Sequence, residues 1–231
     1  MARIARVVIP GCPHHVTQRG VRRMEVFFGR RDRPDYLKLL RRFSRMHGIT
    51  YLAWCLMPNH IHLLAIPEDE SSLARGLGEA HKQYTKRINK RHGCSGYLFQ
   101  GRFYSCPVAP EALIAVTRYI LRNPVRAHLV CHAWEYPWSS AAWLIGAIDH
   151  DPLVEERGPL LEVDDWTGLL EEDDPMESRK EIRTRTRAGR PLGPEAFVRR
   201  LERQTGRVLR PRKRGPKARA HALDEGKPTR N

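Results

Sequence analysis

The sequence predicts an α+β domain, a small and mostly antiparallel sheet with helices packed on it, followed by a basic extension. Apolar residues alternate between two-residue spacing and three-to-four-residue spacing, in the order strand, helix, two strands, helix, strand, helix. The 231-residue chain is 41% hydrophobic, enough to bury a core. Near Trp143 this regular pattern stops, and the composition turns first acidic and then strongly basic.

The first strand is expected at His15–Arg19, after the apolar run Val7-Val8-Ile9. From Asp32 the residues Tyr36, Leu39, Leu40, Phe43 and Met46 recur at helical steps, and Gly48 marks the end of that helix. Ile49 to Leu56 is β-branched and aromatic and reads as a second strand. Pro58-Asn59 turns the chain into a third strand, His60 to Ile66, which Pro67 stops. A second helix starts at Ser72, with Leu73, Leu77, Ala80, Tyr84 and Ile88 on one face. Tyr97-Leu98-Phe99 and Arg102-Phe103-Tyr104 suggest a short strand or hairpin among Gly93, Gly96 and Gly101. Pro110 and Glu111 suit the first turn of a third helix, which is expected to run to Asn123-Pro124, because a proline disfavours helical geometry at the residue before it.

These elements form a first unit, 1–148. Residues 149–177 are acidic with several prolines and glycines, and read as a weakly structured connector. Residues 178–206 form a basic helical extension in which Pro194 to Gln204 is a helix candidate, with Phe197 and Leu201 inward and Arg199, Arg200 and Arg203 outward. The tail, 207–231, has little to bury and is expected to be disordered.

The net charge of +15 points to a polyanionic partner, because such an excess repels itself in the folded state. Nucleic acid is favoured over an anionic membrane surface, and no apolar run is long enough to span a bilayer. Residues Met1 to Arg6 show neither the apolar segment nor the small-residue cleavage site of a secretory signal, so none is expected. The five cysteines are odd in number and widely spread, with no Cys-x-x-Cys pair, which argues against a disulfide framework and a thiolate zinc site. The cytoplasm, in association with the nucleoid, is the expected compartment.

Two segments carry chemistry. His60-Ile61-His62 lies in an apolar strand, where residues two apart project from one face, so both imidazoles can share a divalent cation. An isolated His-x-His is more often a pair of half-buried structural histidines. In Thr117 to Pro124, Tyr119 and Asn123 are four apart on a helix and share a face, beside the apolar stripe of Leu113, Val116 and Ile120. An amide oxygen at Asn123 could serve as a third, hard ligand and leave positions open for phosphate oxygens. Taken singly, Tyr119 reads as a packing residue and Asn123 as a helix terminus. Tyr84 sits on the apolar face of its helix and reads as structural. Tyr97 and Tyr104 suit base stacking or strand packing equally.

Taken together, Leu56-Met57-Pro58-Asn59-His60-Ile61-His62-Leu63-Leu64, then Gly101-Arg102-Phe103, then Tyr119-Ile120-Leu121-Arg122-Asn123-Pro124-Val125-Arg126-Ala127 closely resemble the REP-associated tyrosine transposases. These form part of the single-tyrosine branch of the His-hydrophobic-His nucleases. The resemblance covers the first 145 residues or so. It implies a ferredoxin-like fold and metal-dependent cleavage and rejoining of single-stranded DNA through a 5′-phosphotyrosine intermediate. Tyr119 is then the nucleophile, His60 and His62 the metal ligands, Asn123 the third ligand, and Mg²⁺ or Mn²⁺ the cofactor, with no small-molecule cofactor. The implied partner is single-stranded or hairpin DNA from a palindromic repeat. A monomer is expected, with a homodimer as the alternative.

Phosphate contacts are expected from Arg19, Arg22 and Arg23 after the first strand, and from Lys82, Lys86 and Arg87 on the second helix. Arg102, Arg199 and Arg203, and the tail residues Arg210, Arg212, Lys213 and Arg214, complete the set. Two rival readings stand beside this one. The first is a protein that grips hairpin DNA or RNA on the same fold without cutting; the second is a hydrolase in which water attacks and Tyr119 only packs.

Overall fold

The computed structural model describes residues 6–210, so Arg212, Lys213 and Arg214 lie outside the described residues, as does most of the tail. Four strands form one antiparallel sheet in the order β2-β3-β1-β4. They are β1 (His14–Arg19), β2 (Ile49–Met57), β3 (His60–Pro67) and β4 (Tyr104–Pro107). Helix α1 (Asp32–Met46) connects β1 to β2, and α2 (Ser72–His92) connects β3 to β4. The element order is the α+β order that the periodicity predicts, and the sheet has the ferredoxin-like arrangement that the family resemblance implies. Gly48, in the left-handed region at φ 59°, lets the chain leave α1 and enter β2 directly.

The register decides which side chains share a face. Thr17 lies opposite His62 and Arg19 opposite His60, while Cys55 pairs with His62 on the other flank. Directly opposed residues point the same way, so His15, Thr17, Arg19, His60 and His62 all emerge on one face. The other face presents Val16, Ile61, Leu63, Trp54 and Leu56, and packs into a core with Tyr36, Leu40 and Phe43 of α1 and Leu73, Leu77 and Tyr84 of α2. Tyr84 is buried there, its hydroxyl donating to the Val26 carbonyl at 2.6 Å, which is the structural role expected of it.

On the histidine face a second core forms around α3 (Leu113–Leu121), using Val116, Ile120 and Leu121 against Ala53, Cys55 and Leu64. The helix does not run on to Pro124 as the sequence suggests. It breaks at Arg122 (φ −83°, ψ 4°), and Pro124 sits in the first turn of a new short helix, α4 (Asn123–Arg126). Proline costs little there because a first-turn N–H has no intrahelical partner. Tyr97-Leu98-Phe99 is likewise not a strand. Only an isolated bridge from Phe99 to Gly20 forms, and the true edge strand begins at Tyr104.

The acidic stretch also departs from expectation. Instead of a loose connector, it continues past α5 (Ala141–Leu144) into a 3₁₀ turn at Gly158–Glu162 and helix α6 (Trp166–Glu171). Leu160, Trp166 and Leu170 are buried in the second core. Averaged over the segment, composition hides this Trp/Leu pair at i, i+4 spacing. Asp151, also buried, accepts the Trp54 indole N–H at 2.9 Å and the backbone N–H groups of Leu153 and Val154.

Helix α7 (Met176–Ala188) then packs across β4 and β1 on the histidine face. Helix α8 (Glu195–Thr205) buries Phe197, Val198 and Leu201 against Val7, Ile9 and Ala109, in a third, smaller core. No helix among the described residues is long and apolar enough to cross a membrane.

Candidate active site

A cavity of about 310 Å³ opens on the histidine face between β1, β3, α3, α4 and α7. Its wall includes His60, His62, Tyr119 and Asn123, the four residues the sequence nominates for chemistry. The imidazoles of His60 and His62 stand 5.0 Å apart, centroid to centroid. The Tyr119 ring meets His62 edge-on at 5.7 Å. Its hydroxyl faces the cavity, where it accepts the Arg183 Nε–H at 3.3 Å.

The backbone explains these orientations. Asn123 donates both amide hydrogens backwards, to the Tyr119 carbonyl at 3.0 Å and the Ile120 carbonyl at 3.1 Å, closing the break between α3 and α4. Its Oδ1 is therefore the atom left to offer the cavity. Asn59 plays a similar part for His60. The Asn59 amide N–H donates to the Arg23 carbonyl at 3.1 Å, which turns its Oδ1 to His60 Nδ1 at 2.6 Å. An amide oxygen only accepts, so the His60 proton is on Nδ1, and Nε2 keeps its lone pair.

Burial lowers the histidine basicities. His60 is pushed down to about 3, by burial first and then by Arg19, Arg126 and Arg183. His62 is driven well below its ordinary value by burial, with help from His60, His15, Arg126 and Arg19. Both rings are thus neutral at physiological pH, the form that can ligate a cation. His60 Nε2, a ring nitrogen of His62 and Asn123 Oδ1 line the same cavity and could serve together as donors to a divalent cation. Among the described residues, no three His, Cys, Asp or Glu side chains gather into a ready-made ligand set. A cation here would depend on the amide oxygen and on oxygens brought by a substrate.

Charge completes the picture. Arg19, Arg23, Arg126, Arg183 and Arg187 all line the cavity, and no carboxylate among the described residues does. Arg19 loses basicity through burial and through the like charges of Arg23, Arg187 and Arg183. Such crowding is unfavourable in the free protein and would be relieved by a bound anion. The Arg126 guanidinium lies 4.5 Å over the Tyr119 ring and donates to the Tyr119 carbonyl. Asp174, itself buried, holds Arg126 at 2.6 Å and Arg118 at 2.9 Å.

The other nominated basic residues are placed elsewhere. Arg22 follows β1 in an exposed turn next to Arg23, and both have positive φ (51° and 65°). Lys82, Lys86 and Arg87 lie on the exposed side of α2, on the far face of the sheet from the cavity. Arg102 lines a small neighbouring hollow that shares Thr186 and Arg187 with the site. Arg199 is paired with Glu195 at 2.6 Å and Arg210 with Glu202 at 3.0 Å, while Arg203 is exposed on α8. Sequence reasoning missed His15, Arg126, Arg183, Thr186 and Arg187. The adjacent pair His14-His15 at the start of β1 was the available signal for the first of these. Helix α7, which supplies three of the others, has only a weak apolar pattern.

Residues 9–123 match the family model described as "Transposase IS200 like". Among solved structures, the chain is similar to a REP-associated tyrosine transposase bound to a REP hairpin. The identity is 18%, the TM-score 0.55, and the match covers 72% of this chain and 96% of that one. That likeness shows a shared fold. A putative transposase from Deinococcus radiodurans is similar at 20% identity, over 52% of this chain and 95% of that one, with a TM-score of 0.36. Comparison with the curated proteins gives no match.

Proposed function

Since residues 9–123 place this chain in the IS200-like transposase family, we propose that it cuts and rejoins single-stranded DNA through a covalent link to Tyr119. The observation that carries this reading is the convergence of the Tyr119 phenol with His60, His62 and Asn123 around one arginine-lined cavity. A cationic donor at the phenol oxygen also favours its anion, which a nucleophile needs and a packing tyrosine does not.

His60, His62 and Asn123 would hold Mg²⁺ or Mn²⁺, which when bound supplies Lewis-acid polarisation of a phosphate oxygen. Arg19, Arg23 and Arg187 bind and orient the scissile phosphate. Arg183, at the Tyr119 hydroxyl, stabilises the phenolate as its proton passes to solvent, from which the 3′-oxygen later takes one up. The Tyr119 oxygen attacks phosphorus and forms a P–O bond. The bond from phosphorus to the 3′-oxygen breaks, and that oxygen leaves as a 3′-hydroxyl after taking up a proton. The phosphotyrosine ester keeps the DNA's 5′-phosphate activated, so a 3′-hydroxyl reverses the step without ATP. All four residues come from a single chain, which supports a monomer as the working unit. The structural relative bound to a REP hairpin supports a folded-back repeat as the DNA that is recognised.

The test is a labelled single-stranded oligonucleotide carrying a repeat hairpin, incubated with Mn²⁺ and run on a denaturing gel. The wild-type chain should yield a covalent protein–DNA adduct and Tyr119→Phe none. A normal adduct yield from Tyr119→Phe refutes the assignment. Tight binding without an adduct from the wild type would favour the non-cleaving rival.

A further inference from the structure

Resting on that reading of the site, we propose that Thr186 and His15 are positioning residues that fix the tautomer of His62, so that its Nε2 lone pair faces the cavity. His15 is buried and lies between two partners. Its Nε2 is 2.9 Å from His62 Nδ1, and its Nδ1 is 2.8 Å from Thr186 Oγ1 on α7. The two imidazoles lie edge to edge, with centroids 5.2 Å apart and planes 7° apart, so the shared hydrogen lies near both ring planes.

The proton positions follow from the far end of this chain of hydrogen bonds. Thr186 Oγ1 lies 2.7 Å from the Ile182 carbonyl, which can only accept, so the hydroxyl hydrogen points there. The hydroxyl oxygen is then an acceptor for His15, and Cys106 Sγ at 3.4 Å can use its second lone pair. His15 must therefore donate from Nδ1, which leaves a lone pair on its Nε2. Two ring nitrogens at 2.9 Å need one hydrogen between them, so His62 supplies it from Nδ1. What remains on His62 is an Nε2 lone pair. Asn59 reaches the same result for His60 by a separate route. Both rings are thus set in the same tautomer before a cation arrives, as metal-ligating histidines generally are by their outer partners.

The relay begins in a helix outside the family-matched residues 9–123. Helix α7 therefore completes the catalytic core in addition to carrying positive charge. Without the Thr186 acceptor, His15 is free to hold its proton on Nε2. That choice pushes the His62 proton to its own Nε2, where it blocks ligation.

The test uses the full chain, uniformly ¹⁵N-labelled and free of metal. Long-range ¹H–¹⁵N correlations should show His15 and His62 each protonated at Nδ1. Thr186→Val, which keeps the shape and loses the hydroxyl, should mix the tautomers of both rings. It should also weaken Mn²⁺ binding, measured by titration with Mn²⁺ alone, by about tenfold. Thr186→Ser should restore both readouts to within about twofold, a rescue that a packing role would not give. A wild-type His62 protonated at Nε2 overturns the proposal, as does a folded Thr186→Val with unchanged tautomers and unchanged Mn²⁺ affinity. If the wild type binds no Mn²⁺ while the tautomers are as stated, the metal reading of the site fails and the relay stands.

Discussion

Asp174→Asn should destabilise the protein by about 3 kcal/mol, because breaking a buried ion pair from one side typically costs about 3–5 kcal/mol. The Asp174 side chain is 4% exposed and bridges Arg118 and Arg126, which are 14% and 13% exposed. Asparagine keeps the shape, but its single amide oxygen serves only one guanidinium, and its NH₂ confronts the other. The lower end of the range applies because neither arginine is stranded: Arg118 retains the exposed Glu172, and Arg126 retains the Tyr119 carbonyl. For a chain of this size the loss corresponds to about 6–12 °C in Tm. Urea unfolding of the full chain, read by tryptophan fluorescence, measures it. Arg126→Gln alone and combined with Asp174→Asn closes a double-mutant cycle, in which strong coupling is expected. A loss below about 1 kcal/mol, the range of exposed pairs, or additive behaviour in the cycle, would refute the reasoning. Because Arg126 also covers the Tyr119 ring, the variant should lower adduct yield at temperatures where it remains folded.

Two further outcomes follow from charges away from the reacting atoms. His14 is fully buried and donates from Nδ1 to the Cys12 carbonyl, while its Nε2 accepts the Ile9 N–H; burial holds it down to about 4. Between pH 6.5 and about 4 the unfolded chain therefore binds a proton that the fold refuses, so stability falls as pH falls through that window. From about pH 7 to about pH 5 the wild type should lose about 2 kcal/mol more than His14→Asn in urea melts, and parallel curves would contradict this. On the outer side of α7, Arg179 and Lys180 line a basic hollow with Arg183 and Arg187. Replacing Arg179 and Lys180 by Gln should reduce the dependence of log Kd on log[salt] for single-stranded DNA by about 0.7 per lost phosphate contact. An unchanged slope would place the DNA elsewhere.

The first half of the fold is legible in the sequence because its elements announce themselves by period. The helices starting at Asp32 and Ser72 carry long apolar faces, and the strands around Trp54 and Leu63 are bounded by Gly48, Pro58 and Pro67. Expectation and fold part where a local rule meets a tertiary one. Pro124 reads as a stop, but the chain breaks two residues earlier and uses the proline to start again. Tyr97-Leu98-Phe99 has strand composition, yet it meets the chain just past the end of β1, where only the Phe99–Gly20 bridge forms, and Tyr97 is left 87% exposed.

Within the site, legibility ends where contacts between distant segments begin. His60 with His62 and Tyr119 with Asn123 are close in sequence, so strand and helix periods alone are enough to pair them. His15 is 47 residues from His62, and Thr186 is 171 from His15. No local period links such positions. The acidic segment misleads for a related reason. Glu172, Asp173 and Asp174 look like solvated charge when counted as composition, but they meet Arg118, Arg122 and Arg126, spaced four apart along α3 and α4. That spacing stands in the sequence as a basic stripe beside Tyr119. An arginine stripe is usually solvated, but Arg118, Arg122 and Arg126 are largely buried, so they need a ligand or carboxylates. Here they meet carboxylates, which anchor the helix carrying Tyr119, while Arg19, Arg23, Arg183 and Arg187 line a cavity that no carboxylate among the described residues enters.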